Sequence, residues 1–136
     1  MAANIAEITA FLAVQFPNNK LVVESVGNKS ALVKHLIGPE ELRPGGTVAG
    51  PVLMGLADAA LYIAIFGEIG IVPLAVTTSL TINFMRKPAA AVAVIADCKL
   101  MKVGRALAVG EVTLYSEGQE DPVAHVVGTY SIPPRE

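Results

Sequence analysis

The 136-residue chain is long enough for one domain with a real core, and it is unusually apolar, with 53% hydrophobic against 16% charged residues. A net charge of −2 with no cluster of Lys and Arg argues against nucleic acid as the main ligand. One cysteine, Cys98, excludes an intrachain disulfide and a multi-thiolate metal site, and two histidines, His35 and His125, make zinc a poor fit.

The N-terminal stretch lacks a basic region before its apolar residues and contains Glu7, so it does not read as a signal peptide, and a cytoplasmic protein is expected. Ile5, Ile8, Leu12 and Phe16 recur every three or four residues. That spacing predicts a helix over 3–15, inside an N-terminal helical segment 1–18 closed by Pro17. Leu21–Val26 and Ser30–Leu36 follow as a hairpin turning on Gly27-Asn28-Lys29. Residues 38–46 form a loop with two prolines and three glycines.

The segment Gly50–Phe66, GPVLMGLADAALYIAIF, predicts the central helix, with Pro51 in the first turn and the end at Gly67. Sixteen of its seventeen residues carry no charge, so it has to be covered on nearly all sides. The longest uncharged run, Ile69–Met85, is broken by Gly70, Pro73, four Ser/Thr residues and Asn83, and makes a poor membrane span. Strands are expected over 74–86, 93–102, 106–116 and 123–132, with turns at 103–105 and 117–121. One long helix and about six strands give an α+β fold. Its antiparallel sheet wraps round the helix in a single domain over 1–136. The apolar excess on so small a globule points to a partner subunit.

Asp58 is the one ionisable group of the central helix. A carboxylate on a buried helix is costly unless it is paired or used, so it is either a functional group or sits at a wet edge with loop hydrogen bonds.

The stretch GGTVAGPVLMGLADAALY, followed by AVTTSLTINFMRKPA and by LMKVGRALAVGEVTLYSEG, resembles hot-dog acyl-CoA thioesterases of the phenylacetate-pathway type, over roughly residues 20–134. In that family a loop glycine opens the central helix and an acid lies eight positions on. Gly50 and Asp58 keep this spacing, and Thr77–Pro88 matches the strand that follows. Where relatives often open the helix with His-Gly-Gly, this chain has Ala49-Gly50-Pro51. Where they often carry Asn or Gln fifteen residues before the acid, it has Arg43.

The resemblance implies hydrolysis of medium-chain or aryl acyl-CoA, with no metal or redox cofactor and with coenzyme A arriving as part of the substrate. It implies that the Gly50 N–H serves as oxyanion donor. An unpaired amide at a helix start, where the dipole favours negative charge, suits that role. Asp58 would be nucleophile or general base, assisted by Thr77 or Thr78. Pro51 and Tyr62 would line the same pocket. Arg43 falls at a substrate-holding position, and Arg86, Lys87, Lys102 and Arg105 are candidate partners for the nucleotide phosphates.

Eight helical residues rise roughly 12 Å. One carbonyl therefore cannot meet Gly50 and Asp58 of the same chain, and the site is expected to be shared across a two-fold axis in a homodimer or homotetramer. Two alternatives stand beside this reading. One is the same fold holding acyl-CoA without turnover, consistent with the absent His and Asn. The other is a hot-dog hydratase or dehydratase, for which neither His35 nor His125 lies in a suitable context. Cys98 reads as a small core residue.

Overall fold

The structure, a computed structural model, describes residues 2–134. Helix α1 spans Ile5–Gln15. Asn4 caps it in a reciprocal box with Glu7: the Glu7 N–H donates to Asn4 Oδ1 (2.8 Å), and the Asn4 N–H donates to Glu7 Oε1 (3.0 Å). Of its four periodic apolar residues, Ile8 and Leu12 are buried while Ile5 and Phe16 are exposed. Strands β1 (Leu21–Gly27) and β2 (Ser30–His35) pair through a two-residue turn in which Asn28 and Lys29 both take positive φ. This is the twist a tight hairpin requires.

The polar loop is more ordered than its composition suggests. A 3-10 turn over Pro39–Glu41 leads into two short paired strands, β3 (Leu42–Arg43) and β4 (Thr47–Val48). Two-residue strands leave no periodicity in a sequence.

Helix α2 runs over Gly50–Ile69, beyond the expected end at Gly67. Gly67 is there for close approach: a Cβ on it would sit 3.2 Å from Val26 Cβ and 3.4 Å from the Gly27 nitrogen. The stop comes at Gly70, whose φ of 91° a side chain would resist. The longer helix therefore contains a second acid, Glu68, which accepts the Lys29 N–H at 2.8 Å and ties α2 to the hairpin turn. By length and composition α2 could cross a bilayer, yet 61% of its apolar window is buried inside the protein.

Four longer strands follow: β5 (Val76–Phe84), β6 (Val94–Val103), β7 (Leu107–Ser116) and β8 (Pro122–Ser131). The six long strands form one antiparallel sheet in the order β1-β2-β6-β7-β8-β5, and its concave face holds α2. Along β6 the buried side chains are Val94, Ala96, Cys98 and Leu100; along β7 they are Ala108, Val112 and Leu114. This alternation is what a sheet with one covered face demands. Each large aliphatic side chain buried this way contributes roughly 1.5–3 kcal/mol.

Leu61 marks the closest approach of helix to sheet. It drops between Gly110 and Gly128, register partners on β7 and β8, where added Cβ atoms would lie 2.8 and 2.5 Å from its methyls. Strand β5 is different. It lies at the sheet edge, carries no charge, and exposes seven of its nine residues, Val76 (55%) and Phe84 (54%) among them.

Candidate functional site

Asp58 sits on the flank of α2 that faces β5, half-buried rather than sealed in the core. One carboxylate oxygen is fully engaged. The Thr77 hydroxyl donates to Oδ1 at 2.6 Å, and the Tyr130 hydroxyl, 3.0 Å from the Asp58 carbonyl, donates to the same Oδ1 at 2.8 Å. Thr77 and Tyr130 are register partners on β5 and β8, so the sheet itself sets the two donors side by side. Burial holds the Tyr130 phenol above the ordinary tyrosine value, with the negative Asp58 beside it acting in the same direction, so the phenol stays a proton donor. The other oxygen, Oδ2, has no hydrogen-bond partner among the described residues and is not sealed from solvent.

Asp58 lines an open-sided cleft of about 420 Å³ between α2 and α1. Its walls are largely hydrocarbon: Leu12 and Phe16 from α1, Leu21 from β1, and Tyr62 from α2, one turn past Asp58. The Tyr62 ring packs on Phe66 (4.3 Å between centroids) and stacks on Tyr130 (6.0 Å), while its hydroxyl donates to the Pro73 carbonyl at 2.9 Å. A smaller hollow on the β5 side of α2 is lined by Pro51, Met54, Gly55, Asp58, Thr77 and Leu80.

The structure thus brings together Asp58, Thr77 and Tyr62 at the cleft, whereas Pro51, expected in the same pocket as Tyr62, lines the separate hollow toward β5 with Asp58 and Thr77. It separates the other residues singled out in the sequence. Gly50 opens α2 with no acidic side chain in its first turn and no acceptor for its N–H among the described residues. It lies beside Phe84, whose ring would be 3.4 Å from a Cβ on it, whereas Asp58 lies beside Thr77. Those strand residues are seven positions apart, about 23 Å along β5.

Thr78 falls at a bulge between Thr77 and Ser79, and its hydroxyl donates to the Thr129 carbonyl at 3.3 Å instead of reaching Asp58. Arg43 is exposed in the small β3–β4 ladder, away from the cleft. The four other cations divide between the two ends of the sheet. Lys102 and Arg105 are at the β6–β7 turn, while Arg86 and Lys87 follow β5 at the far end, where the Arg86 Nε donates to the Pro122 carbonyl at 3.1 Å. Within one chain they make no common phosphate pocket. Cys98 is buried and its thiol is pushed up to about 12 by desolvation, so it is an inert core group. His125 pairs with Glu111 at 2.9 Å on the outer face of the sheet.

Tyr130 is the site residue that sequence reasoning passes over. Its signal was there: on β8 the buried positions Val126, Gly128 and Tyr130 alternate, which aims a phenol at the helix rather than at solvent.

A sequence model of the Thioesterase superfamily matches residues 45–123, more than half of the chain. Among solved structures, a candidate thioesterase from Silicibacter sp. TM1040 is 38% identical, with 96% of this chain and 92% of that one covered at a TM-score of 0.88. The phenylacetic acid degradation protein PaaI of Thermus thermophilus is 26% identical over 91% of this chain and 99% of that one, at 0.73. Zebra fish thioesterase superfamily member 2, 19% identical over 97% and 100% of the two chains, shares the fold at 0.84. A search of curated protein sequences found no match. With the family match, the 38% identity and a sheet wrapped round one long helix together, the chain belongs to the thioesterase superfamily of thioester hydrolases, as a hot-dog protein of PaaI type.

Proposed function

We propose that the protein hydrolyses acyl-CoA thioesters, with medium-chain or aryl acyl groups, at a site shared between two copies of the chain. The observation that carries this is Asp58: one oxygen is locked by two hydroxyls, the other has no partner, and the residue lines an apolar cleft. Such a carboxylate can attack the thioester carbonyl, giving a mixed anhydride that water then cleaves, or can take a proton from an attacking water. Either route adds one water, breaks the C–S bond, and releases a carboxylic acid and the thiol of coenzyme A. The Gly50 N–H, at a helix start with no competing acid, suits the oxyanion that forms on the carbonyl.

The separation of Gly50 from Asp58 supports a two-chain site. Strand β5 is an uncovered, uncharged edge, which is the kind of surface that pairs with another strand. Two copies joined antiparallel along β5 would set the Phe84 end of one against the Thr77 end of the other. Gly50 of the partner subunit would then approach Asp58. The same pairing would bring the Arg86–Lys87 end of one chain to the end that carries Lys102 and Arg105 in the other, so that four cations could serve one nucleotide. Exposed Met54, Val76 and Phe84 would be covered in the process. The assembly is a homodimer or a homotetramer built from such dimers. The reaction calls for no metal or redox cofactor, and its CoA substrate fits a cytoplasmic setting.

A panel of acyl-CoAs with thiol release as readout, run beside light scattering at micromolar protein, tests the proposal. Turnover by a dimer or a multiple of it is the expected result. A folded monomer with normal turnover would end the shared-site mechanism. Saturable acyl-CoA binding without thiol release would instead make the protein a carrier, a reading to which Ala49 and Arg43, standing where relatives often have His and Asn or Gln, lend some support.

A further inference from the structure

Gly55 lies in the interior of α2, one turn before Asp58 on the same flank. Glycine weakens a helix relative to alanine, so its presence there calls for a compensating reason. The usual reasons fail within the chain. Its backbone is helical, with no positive φ, and a Cβ built on it would meet nothing within 4 Å. This sets it apart from Gly67, Gly110 and Gly128, each of which yields space to a neighbour.

What Gly55 does border is open volume on three sides. It lines the 420 Å³ cleft beside Asp58, the hollow of about 320 Å³ toward β5, and a third of about 490 Å³ that continues past Leu56 and Ala59 toward His35. It lies beside Asp58 on the α2 wall of the cleft under α1, where the three volumes meet.

The polar groups on that wall are already satisfied. Asn19 Nδ2 donates to the carbonyls of Phe16 (2.8 Å) and Leu12 (3.3 Å), its Oδ1 accepts the Leu21 N–H (2.9 Å), and the Tyr62 hydroxyl is held by Pro73. Beyond Asp58, an occupant of the 420 Å³ cleft finds hydrocarbon and spent hydrogen bonds.

We propose that Gly55 is a specificity-determining residue: its missing side chain gives a plain hydrocarbon acyl group, alkyl or phenyl, the clearance to pass Asp58 and lie in the cleft between α2 and α1. This rests on the acyl-CoA reading above. A side chain at position 55 would fill the passage and leave room for short acyl groups alone. A hydroxylated acyl group would lose water without gaining a partner.

The test is a graded series, Gly55→Ala and Gly55→Leu, with two readouts. One is the ratio of kcat/KM for octanoyl-CoA over acetyl-CoA. The other is the ratio of affinities for the non-hydrolysable thioethers S-octyl-CoA and S-ethyl-CoA, measured by calorimetry. Both ratios are expected to fall, by at least tenfold in the leucine variant, the scale set by one or two methylenes in an apolar pocket. Melting temperature should hold or rise, since alanine and leucine favour the helix, and the assembly should be unchanged. Wild type should also prefer phenylacetyl-CoA to its 4-hydroxy analogue.

Ratios that stay constant, or variants that lose both chain lengths equally, would overturn the proposal. So would dissociation of the variants, which would make Gly55 an assembly contact. A thioether ratio that shifts in a protein releasing no thiol would keep Gly55 in its role and remove hydrolysis. Absence of thioether binding by wild type would remove both.

Discussion

Helix α2 contains two stretches of similar composition and opposite surroundings. From Ala60 to Gly67 every residue except Tyr62 is buried; from Gly50 to Ala59 only Leu53, Leu56 and Ala57 are. Both stretches are apolar, so hydrophobicity alone does not separate scaffold from site. The sheet does. Strands β6, β7 and β8 close over the second stretch and seat Leu61 in its glycine-lined hollow, while the first stretch emerges beside the uncovered strand β5 with Asp58, Gly55 and Met54 facing outward. The expectation that follows is a double dissociation. Changes in the first stretch should alter chemistry with little effect on folding, and changes around the second should do the reverse.

Asp58→Asn gives the largest effect in this scheme. Turnover should fall by about 100-fold or more, the scale of a lost acid–base or nucleophilic group. An amide oxygen can still accept from both Thr77 and Tyr130, so the unfolding free energy should stay within the range of an ordinary surface change, about 0.5 kcal/mol. Kinetics and a thermal melt on one preparation decide it. An asparagine variant that melts early yet keeps normal turnover per folded molecule would assign Asp58 to the scaffold.

Gly128→Ala probes the buried stretch. Its new methyl would overlap Leu61, which is held on all sides, so a loss of about 1–3 kcal/mol is expected in denaturant unfolding, with activity per folded molecule retained. Adding Leu61→Ala should cost less in this background than in the wild type, because the two side chains compete for one volume. Additive losses would mean that the overlap is relieved elsewhere.

Thr77→Ala is the mildest. It removes one of two donors to Oδ1 at an exposed position, so kcat should drop by about tenfold with KM nearly unchanged, and Thr77→Ser should restore it. An equal change in KM, or no rescue by serine, would show that Thr77 does not position the carboxylate.

Much of this arrangement was legible in the sequence, and the reason differs by element. Strands β6, β7 and β8 have one covered face, which writes itself as alternation. The central helix announced itself by lacking charge, and the family spacing picked out Gly50 and Asp58. Strand β5 was less clear because only Leu80 and Ile82 pack against the core in one chain, and a bulge between Thr77 and Ser79 interrupts its alternation; its limits contracted from 74–86 to 76–84. Gly67 misled for a different reason: a glycine that permits close packing and one that ends a helix look the same in a string of letters. The placement of Arg86 and Lys87 far from Lys102 and Arg105 follows from strand order, and strand order is set by which edges meet in space.

The hold on Asp58 has a consequence for symmetry. In water the two oxygens of a carboxylate are interchangeable, and rotation about χ2 exchanges them freely. Here the Thr77 and Tyr130 hydroxyls fix one oxygen against the sheet and leave its twin without a partner, so the group behaves as if its ends were different elements. On the proposed mechanism the anchored oxygen would keep its place through the cycle. The free oxygen would then be the one that meets the substrate, and if water cleaves the mixed anhydride at the Asp58 carboxyl carbon, its label would enter the protein at that one atom.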